Sequence, residues 1–73
     1  MSSKLPRISG SALIKFLEKR GYTVVRRKGS HVRLHPPFPS AKKITVPLAV
    51  ELKRGTLSGI LKDAELTADD LKN

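Results

Sequence analysis

The sequence predicts an α+β domain with the element order α-β-β-β-α, in which both helices pack on one face of a three-stranded antiparallel sheet. Two segments with helical apolar spacing, one near each end of the chain, predict the helices. Between them, residues 31–35 alternate between polar and apolar side chains, as in a strand with one buried face. This strand follows a Gly-Ser pair that suits a tight turn, so we expect it to form a hairpin with the segment before it.

The first helix is expected from Ser9 to Arg20. Its apolar side chains recur at the i, i+3, i+4 spacing of a single buried stripe. The stripe consists of Leu13, Ile14, Phe16 and Leu17. Ser9 or Ser11 can cap the free amides at the helix start, and Gly21 stands where a left-handed C-terminal cap is favourable.

Two strands and a turn are expected next. The segment Tyr22 to Lys28 is β-branched and aromatic before it becomes basic, which favours a strand. Lys28-Gly29-Ser30 predicts the turn, since glycine accepts a positive φ. In the second strand, His31 to His35, the apolar side chains should face the helices, so the polar ones should face outward.

The outward face of the second strand carries His31 and Arg33. The length of the turn decides whether Val24 or Val25 joins the core, and the sequence leaves that choice open. Both alternatives keep His31 and Arg33 on the same polar face, beside one of the two arginines of the first strand. The open face of the sheet is therefore expected to carry the charges of the hairpin.

The middle of the chain predicts a loop and a third strand. Residues 36–40 are rich in proline, which cannot donate a hydrogen bond to a strand ladder. The third strand is expected from Lys42 to Pro47, with Ile44 and Val46 facing inward. Residues 48–55 then form the link to the second helix.

The second helix is expected from Thr56 to Ala64, with Thr56 as its cap. Its apolar stripe consists of Leu57, Ile60, Leu61 and Ala64. Thr67 and Asp70 have the spacing of a capping box. They predict a last short helical turn, which anchors Leu71.

The composition limits the class of protein. A chain of 73 residues with 38% apolar residues and no Trp predicts one domain, residues 1–73, with a thin core. Such a core favours a surface groove and a polymeric substrate over an enclosed cavity for a small metabolite. The chain lacks Cys, which excludes disulfides and thiolate metal sites. No apolar run approaches the roughly 20 residues of a membrane span, and Met1 to Pro6 lack an export signal, so we expect a soluble cytoplasmic protein.

Charge favours a polyanionic partner. The chain has 15 Lys and Arg against 6 Asp and Glu, for a net charge of +9. Residues 1–50 carry eleven of the basic side chains and a single acid, whereas residues 51–73 carry four basic and five acidic side chains. This distribution predicts one cationic face, which suits the phosphate backbone of a nucleic acid. The alternative is a solvated surface that serves solubility alone.

His31 is the candidate catalytic residue. Imidazole is the side chain whose ordinary pKa, about 6.5, suits proton transfer near neutrality. RNA supplies its own nucleophile, the 2′-hydroxyl, so a base and cations on the phosphoryl oxygens suffice for slow cleavage. Such an enzyme needs no metal or other cofactor, and it leaves a 2′,3′-cyclic phosphate. The alternative is an exposed strand histidine without a role.

The candidate RNA-binding residues lie in the hairpin and before the second helix. Those in the hairpin are Arg26, Arg27, Lys28, Ser30 and Arg33. Lys53 and Arg54 precede a helix N-terminus, whose free amides attract anions. These two side chains are a second candidate contact for phosphate. The alternative is that they belong to a solvated loop.

Other chemistry is disfavoured. His35 lies about 13 Å from His31 along the strand, at roughly 3.3 Å per residue, which is too far for a joint acid–base pair. Ser30 is a weak nucleophile because no buried acid is placed to complete a triad. The two histidines do not converge on a strand, and the carboxylates cluster near the C-terminus, so no metal site is expected.

Three blocks of the sequence together resemble one family. They are GYTVVRRKGSH at residues 21–31, VP at 46–47, and ELKRGTL at 51–57, the last followed by Ile60 and Leu61. From about Ile8 to Leu66 the chain resembles the HicA family of mRNA interferase toxins. The resemblance implies a double-stranded-RNA-binding-like fold, ribosome-independent cleavage of mRNA, and a HicB antitoxin that binds the toxin and covers its active site. It also implies that His31, in the Gly-Ser-His block, is catalytic.

The chain departs from this family pattern at two places. The loop from Pro36 to Lys42 is richer in proline than the short polar turn usual there. Many relatives also carry a second histidine shortly after the Val-Pro pair, where this chain has Leu48-Ala49. Catalysis in this chain therefore does not use that second imidazole.

Two other functions fit parts of the sequence. A non-catalytic RNA-binding module would use the same basic face for shape recognition. A DNA-binding or protein-interaction domain is disfavoured, because the second helix is too apolar to read base edges.

Overall fold

The computed structural model describes residues 5–72. Residues 1–4, on which part of the expectation about export depends, lie outside that range, as does Asn73. The observed elements are α1 (Gly10–Lys19), β1 (Thr23–Lys28), β2 (His31–His35), β3 (Ile44–Pro47), α2 (Arg54–Asp63) and α3 (Ala68–Lys72). The predicted order is confirmed, with the short α3 as the last helical turn.

Helix α1 is capped as its sequence predicts. Ser9 is the cap of the two serines considered, because its Oγ accepts a hydrogen bond of 3.1 Å from the amide of Ala12. Gly21 has φ +98° directly after the helix, in the left-handed region that favours glycine. The helix buries Leu13, Ile14 and Leu17, whereas Phe16 is only partly buried.

The predicted start of the second helix is wrong. The helix begins at Arg54, and the residue at its N-cap is Lys53, which has extended backbone and no side-chain cap. Thr56 therefore lies inside the helix. The physical reason is tertiary: Leu52 is buried, and its amide donates to the carbonyl of Ile8 at 2.9 Å. The chain is fixed at Leu52, so Lys53 takes the N-cap position and the helix begins at Arg54.

The sheet has the strand order β1-β2-β3, with both neighbouring pairs antiparallel. Lys28 pairs with His31, which leaves Gly29 and Ser30 as a two-residue hairpin loop. Gly29 has φ +58°, and a positive φ at the first loop position is what a type II′ turn requires. The third strand begins at Ile44, two residues later than its sequence predicts, after the loop that follows β2.

A β-bulge in β1 answers the question left open about Val24 and Val25. Val24 pairs with Leu34, Arg26 pairs with Arg33, and Val25 is the extra residue between them. Val24 thus turns to the helix side but stays 37% exposed, and Val25 is 46% exposed. Neither valine belongs to the buried core.

The core fills the space between one face of the sheet and the helices, as predicted. The sheet contributes four buried side chains, Val32, Leu34, Ile44 and Val46. Both α1 and α2 contact β3, and they cover the same sheet face. The opposite face of the sheet is left open to solvent. Among the described residues, no helix is long and apolar enough to cross a membrane.

The capping box at Thr67 and Asp70 is confirmed. The Asp70 carboxylate accepts a hydrogen bond of 2.8 Å from the Thr67 amide, and Thr67 Oγ1 accepts one of 3.3 Å from the Asp70 amide. Asp70 also lies 3.6 Å from the guanidinium of Arg20, which ties α3 to the end of α1. The partly buried Leu71 packs on the core from this helix.

This box predicts a pH-dependent stability. The hydrogen bond from the Thr67 amide, helped by the Thr67 hydroxyl and Arg20, lowers the pKa of Asp70 below 3.8. The stabilisation is therefore present above the ordinary pKa and is lost as pH falls through the lowered value. At neutral pH, we expect Asp70→Ala to unfold at a lower urea concentration than the wild type. This gap between the two urea midpoints should close in strong acid.

Urea titrations at several pH values measure this gap. Glu18→Ala is the control, because the Glu18 side chain is exposed and forms no ion pair with any residue that the structure describes. A gap between the Asp70 variant and the wild type that stays constant into strong acid would contradict the assignment.

Candidate active site

An open groove of 320 Å³ lies on the solvent face of the sheet. Its lining combines one imidazole, one hydroxyl and three cations, namely Arg26, Lys28, His31, Arg33 and Thr45. All five residues are exposed. Because the groove is open to solvent, a ligand can reach these side chains without a movement of the fold.

The strand register creates this groove. In antiparallel strands, residues directly opposite each other share a face of the sheet. Lys28 pairs with His31, and Arg33 pairs with Arg26 on one side and with Thr45 on the other. The bulge in β1 keeps Arg26 on this face while Val24 turns to the helices. Three strands therefore each place polar side chains around His31.

The backbone beside His31 is held by the chain that follows β3. The amide of Leu48 donates a hydrogen bond of 2.6 Å to the carbonyl of Ser30 in the hairpin loop. One residue earlier, Pro47 is the register partner of His31. The next residue, Ala49, accepts a hydrogen bond of 2.9 Å from the amide of Gly10. The position of the hairpin loop thus depends on the start of α1.

Arg27 is not brought to this groove. It pairs with Val32, whose side chain is buried on the helix side of the sheet. Arg27 instead lines a separate groove between α1 and β1, which also contains Lys15 and Glu18. The sequence left open which arginine accompanies His31, and the register assigns this place to Arg26.

The remaining predicted residues are more dispersed. Ser30 lies in the hairpin loop next to His31, and it is exposed. Lys53 and Arg54 are exposed at the start of α2, and neither lines the His31 groove. The first turn of α2 carries no acid, and its N-cap residue makes no side-chain hydrogen bond. Its free amides therefore remain available to an anion.

His35 stays apart from His31, as the strand geometry predicts. It is partly buried and lines a second groove, formed with the prolines of the following loop and with Lys43. The two imidazoles do not share a groove. A joint acid–base pair of the two histidines has no support in this arrangement.

Thr45 is the groove residue that was not among the sequence candidates. Ile44 and Val46 are its neighbours in β3, and both are buried. Strict alternation of strand residues turns Thr45 outward, so the pattern in the sequence could have identified it. The register then places its hydroxyl across from Arg33.

The electrostatic character of the groove is uniformly cationic, since none of its lining residues is acidic. Ion pairs occur at other places in the described part of the chain, as between Lys42 and Asp63 at 3.7 Å. Cations without local counter-ions attract a polyanion and stabilise negative charge on it. An imidazole among them can accept a proton. Within residues 5–72, no group of three potential ligand side chains is placed to hold a metal ion.

Comparison with models of known protein families gives a match over most of the chain. The family model described as "HicA toxin of bacterial toxin-antitoxin" matches residues 10–66, which span α1 through the end of α2 and include every residue of the His31 groove. Among curated proteins, none matches the chain.

Proposed function

Since the chain belongs to the HicA family of toxins of bacterial toxin–antitoxin systems, we propose that it cuts mRNA at the groove around His31. The observation that carries this proposal is an exposed imidazole among three cations on an open sheet face. RNA fits such a face, because its phosphates match the charge and its 2′-hydroxyl supplies the nucleophile. The proposed class is a metal-independent endoribonuclease.

The proposed reaction uses His31 as a general base. The imidazole takes the proton of the 2′-hydroxyl, and the freed oxygen attacks the neighbouring phosphorus. The bond from phosphorus to the 5′ oxygen of the next nucleotide breaks, that oxygen takes up a proton from water, and His31 afterwards returns its own proton to water. The products are a 2′,3′-cyclic phosphate and a 5′-hydroxyl. Arg26, Lys28 and Arg33 stabilise the charge that develops on the phosphoryl oxygens.

The RNA path is proposed to extend beyond the groove. Ser30, beside His31, is a phosphate contact at one end of the strand face. Lys53 and Arg54 at the start of α2 are a second phosphate contact, supported by the uncapped amides of that helix. Arg27 is a contact for RNA that wraps around the β1 edge, because it lies on the other side of the sheet.

Arg26 and Arg27 are neighbours in the chain and face opposite sides of the sheet, so they form a matched pair of variants. If RNA lies mainly on the open face, we expect Arg26→Ala to weaken RNA binding several-fold and to lower the salt slope by about one. Arg27→Ala should weaken binding less. Fluorescence anisotropy with single-stranded RNA over a range of salt concentrations measures both. Equal losses for the two variants would contradict an RNA path on the open face.

The family implies a cognate antitoxin as partner. We propose that the antitoxin inhibits the toxin by covering the His31 groove, and that acidic side chains on the antitoxin contact the groove cations. A cytoplasmic location follows from the proposed substrate, because mRNA is found there.

The purified chain incubated with single-stranded RNA in EDTA tests the proposed function. We expect cut products whose ends are a 2′,3′-cyclic phosphate and a 5′-hydroxyl, detected by end-specific phosphatase and kinase treatment. Salt-sensitive binding without cut products would support the alternative, a non-catalytic RNA-binding module. Cleavage that EDTA abolishes would contradict the metal-independent route.

A further inference from the structure

A second groove lies on the sheet at the end of β2 that is farther from the hairpin turn. Its volume is 360 Å³. The lining consists of one aromatic ring, one imidazole, one cation and small or cyclic apolar residues, namely His35, Pro36, Pro37, Phe38, Pro39, Ala41 and Lys43. None of these side chains is acidic. The candidate catalytic groove and this one are lined by different residues.

Phe38 is the exposed aromatic ring of the chain. Of the three aromatic residues, Tyr22 is buried and Phe16 is partly buried beneath the guanidinium of Arg20, which lies 5.2 Å from its ring centre. Phe38 is 53% exposed. An aromatic side chain left this exposed contributes little to the core, so its exposed surface is available to a ligand.

The loop that carries Phe38 is constrained. Three prolines flank it, and each fixes its own φ. The amide of Ala41 donates a hydrogen bond of 3.2 Å to the carbonyl of Phe38, which closes a turn. On the other side, Pro37 packs so closely on Gly21 that an added Cβ there would lie 3.0 Å from the Pro37 Cβ. Because the backbone of this loop is held in this way, little backbone conformational entropy is lost when a ligand stacks on the Phe38 ring.

The second groove continues the face that contains the first. His35 follows His31 and Arg33 on the same side of β2, since alternate residues of a strand share a face. Lys43 directly precedes β3 on the other side of the second groove. Lys42 pairs with Asp63, whereas Lys43 forms no ion pair with any described residue. A polyanion bound at His31 therefore meets a cation and an exposed ring at the other end of β2.

We propose that this second groove is a nucleobase subsite, in which Phe38 stacks on one unpaired base of the RNA whose backbone lies at His31. Exposed aromatic rings next to cations are the means by which proteins hold single-stranded RNA. The separation of the two histidines, about 13 Å along the strand, places this base a few nucleotides from the cleaved bond. The inference rests on the proposed function, and it specifies the substrate as single-stranded.

The other side of Phe38 is less suited to RNA. There Phe38 lines a further groove together with Arg20 and Tyr22, and Glu65 adds an acidic side chain to it. Negative charge disfavours a phosphate chain at that place. The base is therefore assigned to the sheet side of the ring.

Binding of short single-stranded RNA, followed by fluorescence anisotropy, tests the subsite. All proteins carry His31→Ala so that the RNA stays intact. We expect Phe38→Ala and Phe38→Leu to weaken binding by roughly 5- to 100-fold, because the stacking surface is lost. Phe38→Tyr keeps the ring and should bind RNA as tightly as the protein that carries His31→Ala alone. Val50→Ala is the matched control, because Val50 is an apolar side chain that is 94% exposed in another loop.

A second arm uses RNA in which one base at a time is removed. We expect one position at which the abasic nucleotide weakens RNA binding as much as Phe38→Ala does. In the Phe38→Leu protein, an abasic nucleotide at that position should cause no further loss of RNA binding. This arm needs no change at Phe38 to find the position, so it remains informative if Phe38→Ala fails to fold.

The contradicting outcomes are distinct. Unchanged RNA binding by Phe38→Ala and Phe38→Leu overturns the subsite but leaves the proposed function standing. If the same variants also bind the antitoxin more weakly, the groove is a contact for the protein partner instead. Full binding by Phe38→Leu would show that an apolar contact, without stacking, is sufficient. If the protein that carries His31→Ala alone does not bind RNA at all, the proposed function is overturned together with the subsite.

Discussion

His31→Ala is expected to abolish most RNA cleavage, by about 10²- to 10⁴-fold, while RNA binding is retained. The reason is that the variant removes the proposed base but leaves the cations Arg26, Lys28 and Arg33 in the groove. His31 is exposed at a strand end, so the loss of its ring leaves the buried core unchanged. Single-turnover cleavage in EDTA measures the loss of cleavage rate. Fluorescence anisotropy measures RNA binding, and urea unfolding measures stability.

His35→Ala provides the comparison for this result. His35 lies outside the His31 groove and lines the proposed base subsite. We therefore expect its effect to appear in KM, whereas the effect of His31→Ala appears in kcat. Induction of both variants in a bacterial host should give growth arrest with His35→Ala and none with His31→Ala. Equal cleavage and equal arrest by wild type and His31→Ala would remove the catalytic role.

Gly10→Ala is expected to destabilise the fold by about 3 kcal/mol or more, since overpacking against backbone leaves no side chain free to yield. A Cβ built on Gly10 overlaps the carbonyl oxygen of Pro47 and lies 3.0 Å from the Cα of Leu48. A domain of this size has a free energy of unfolding of about 4–11 kcal/mol, so the loss is a large fraction of it. Urea unfolding of the purified variant measures the change.

Gly59→Ala is the matched control for this substitution. Gly59 lies inside α2, and a Cβ added there meets nothing within 4 Å. Alanine in a helix interior is favoured over glycine, so this variant should gain about 0.5–1 kcal/mol. One substitution should lower the free energy of unfolding and the other should raise it. The pair therefore tests the close approach of Gly10 to the backbone of Pro47. A Gly10→Ala protein as stable as the wild type would contradict the packing of α1 against the end of β3.

The Gly10 variant should also affect the candidate site. The Gly10 amide bonds to Ala49, and the chain one residue earlier holds the hairpin loop through Leu48 and Ser30. Displacement of α1 therefore loosens the backbone next to His31. We expect the folded fraction of Gly10→Ala to cleave RNA more slowly than the wild type at equal folded concentration.

The element order and the outward position of His31 followed from the sequence because short-range patterns determine both. Alternation over residues 31–35 fixes which side chains face out, and the Gly-Ser pair fixes the turn. Helical spacing identified α1 and its buried stripe for the same reason.

The parts that could not be predicted depend on tertiary contacts. The bulge at Val25 follows from how β1 fits against β2 and α1, and it decides that Arg26 joins the groove and Arg27 does not. The start of α2 follows from the fixed position of Leu52, and the local preference of threonine for a cap did not prevail. The approach of α1 to Pro47 has no marker in the sequence beyond a glycine.

A pair of RNA oligonucleotides tests the central claim, that the groove around His31 cuts RNA through the 2′-hydroxyl. One strand is all ribose, and the other lacks the single 2′-hydroxyl at the mapped cleavage position. We expect the wild-type protein in EDTA to cut the first strand and to leave the second intact at that position, with both strands bound equally. Cleavage of the second strand at the same bond, or cleavage of the first strand by His31→Ala at the wild-type rate, would contradict the claim.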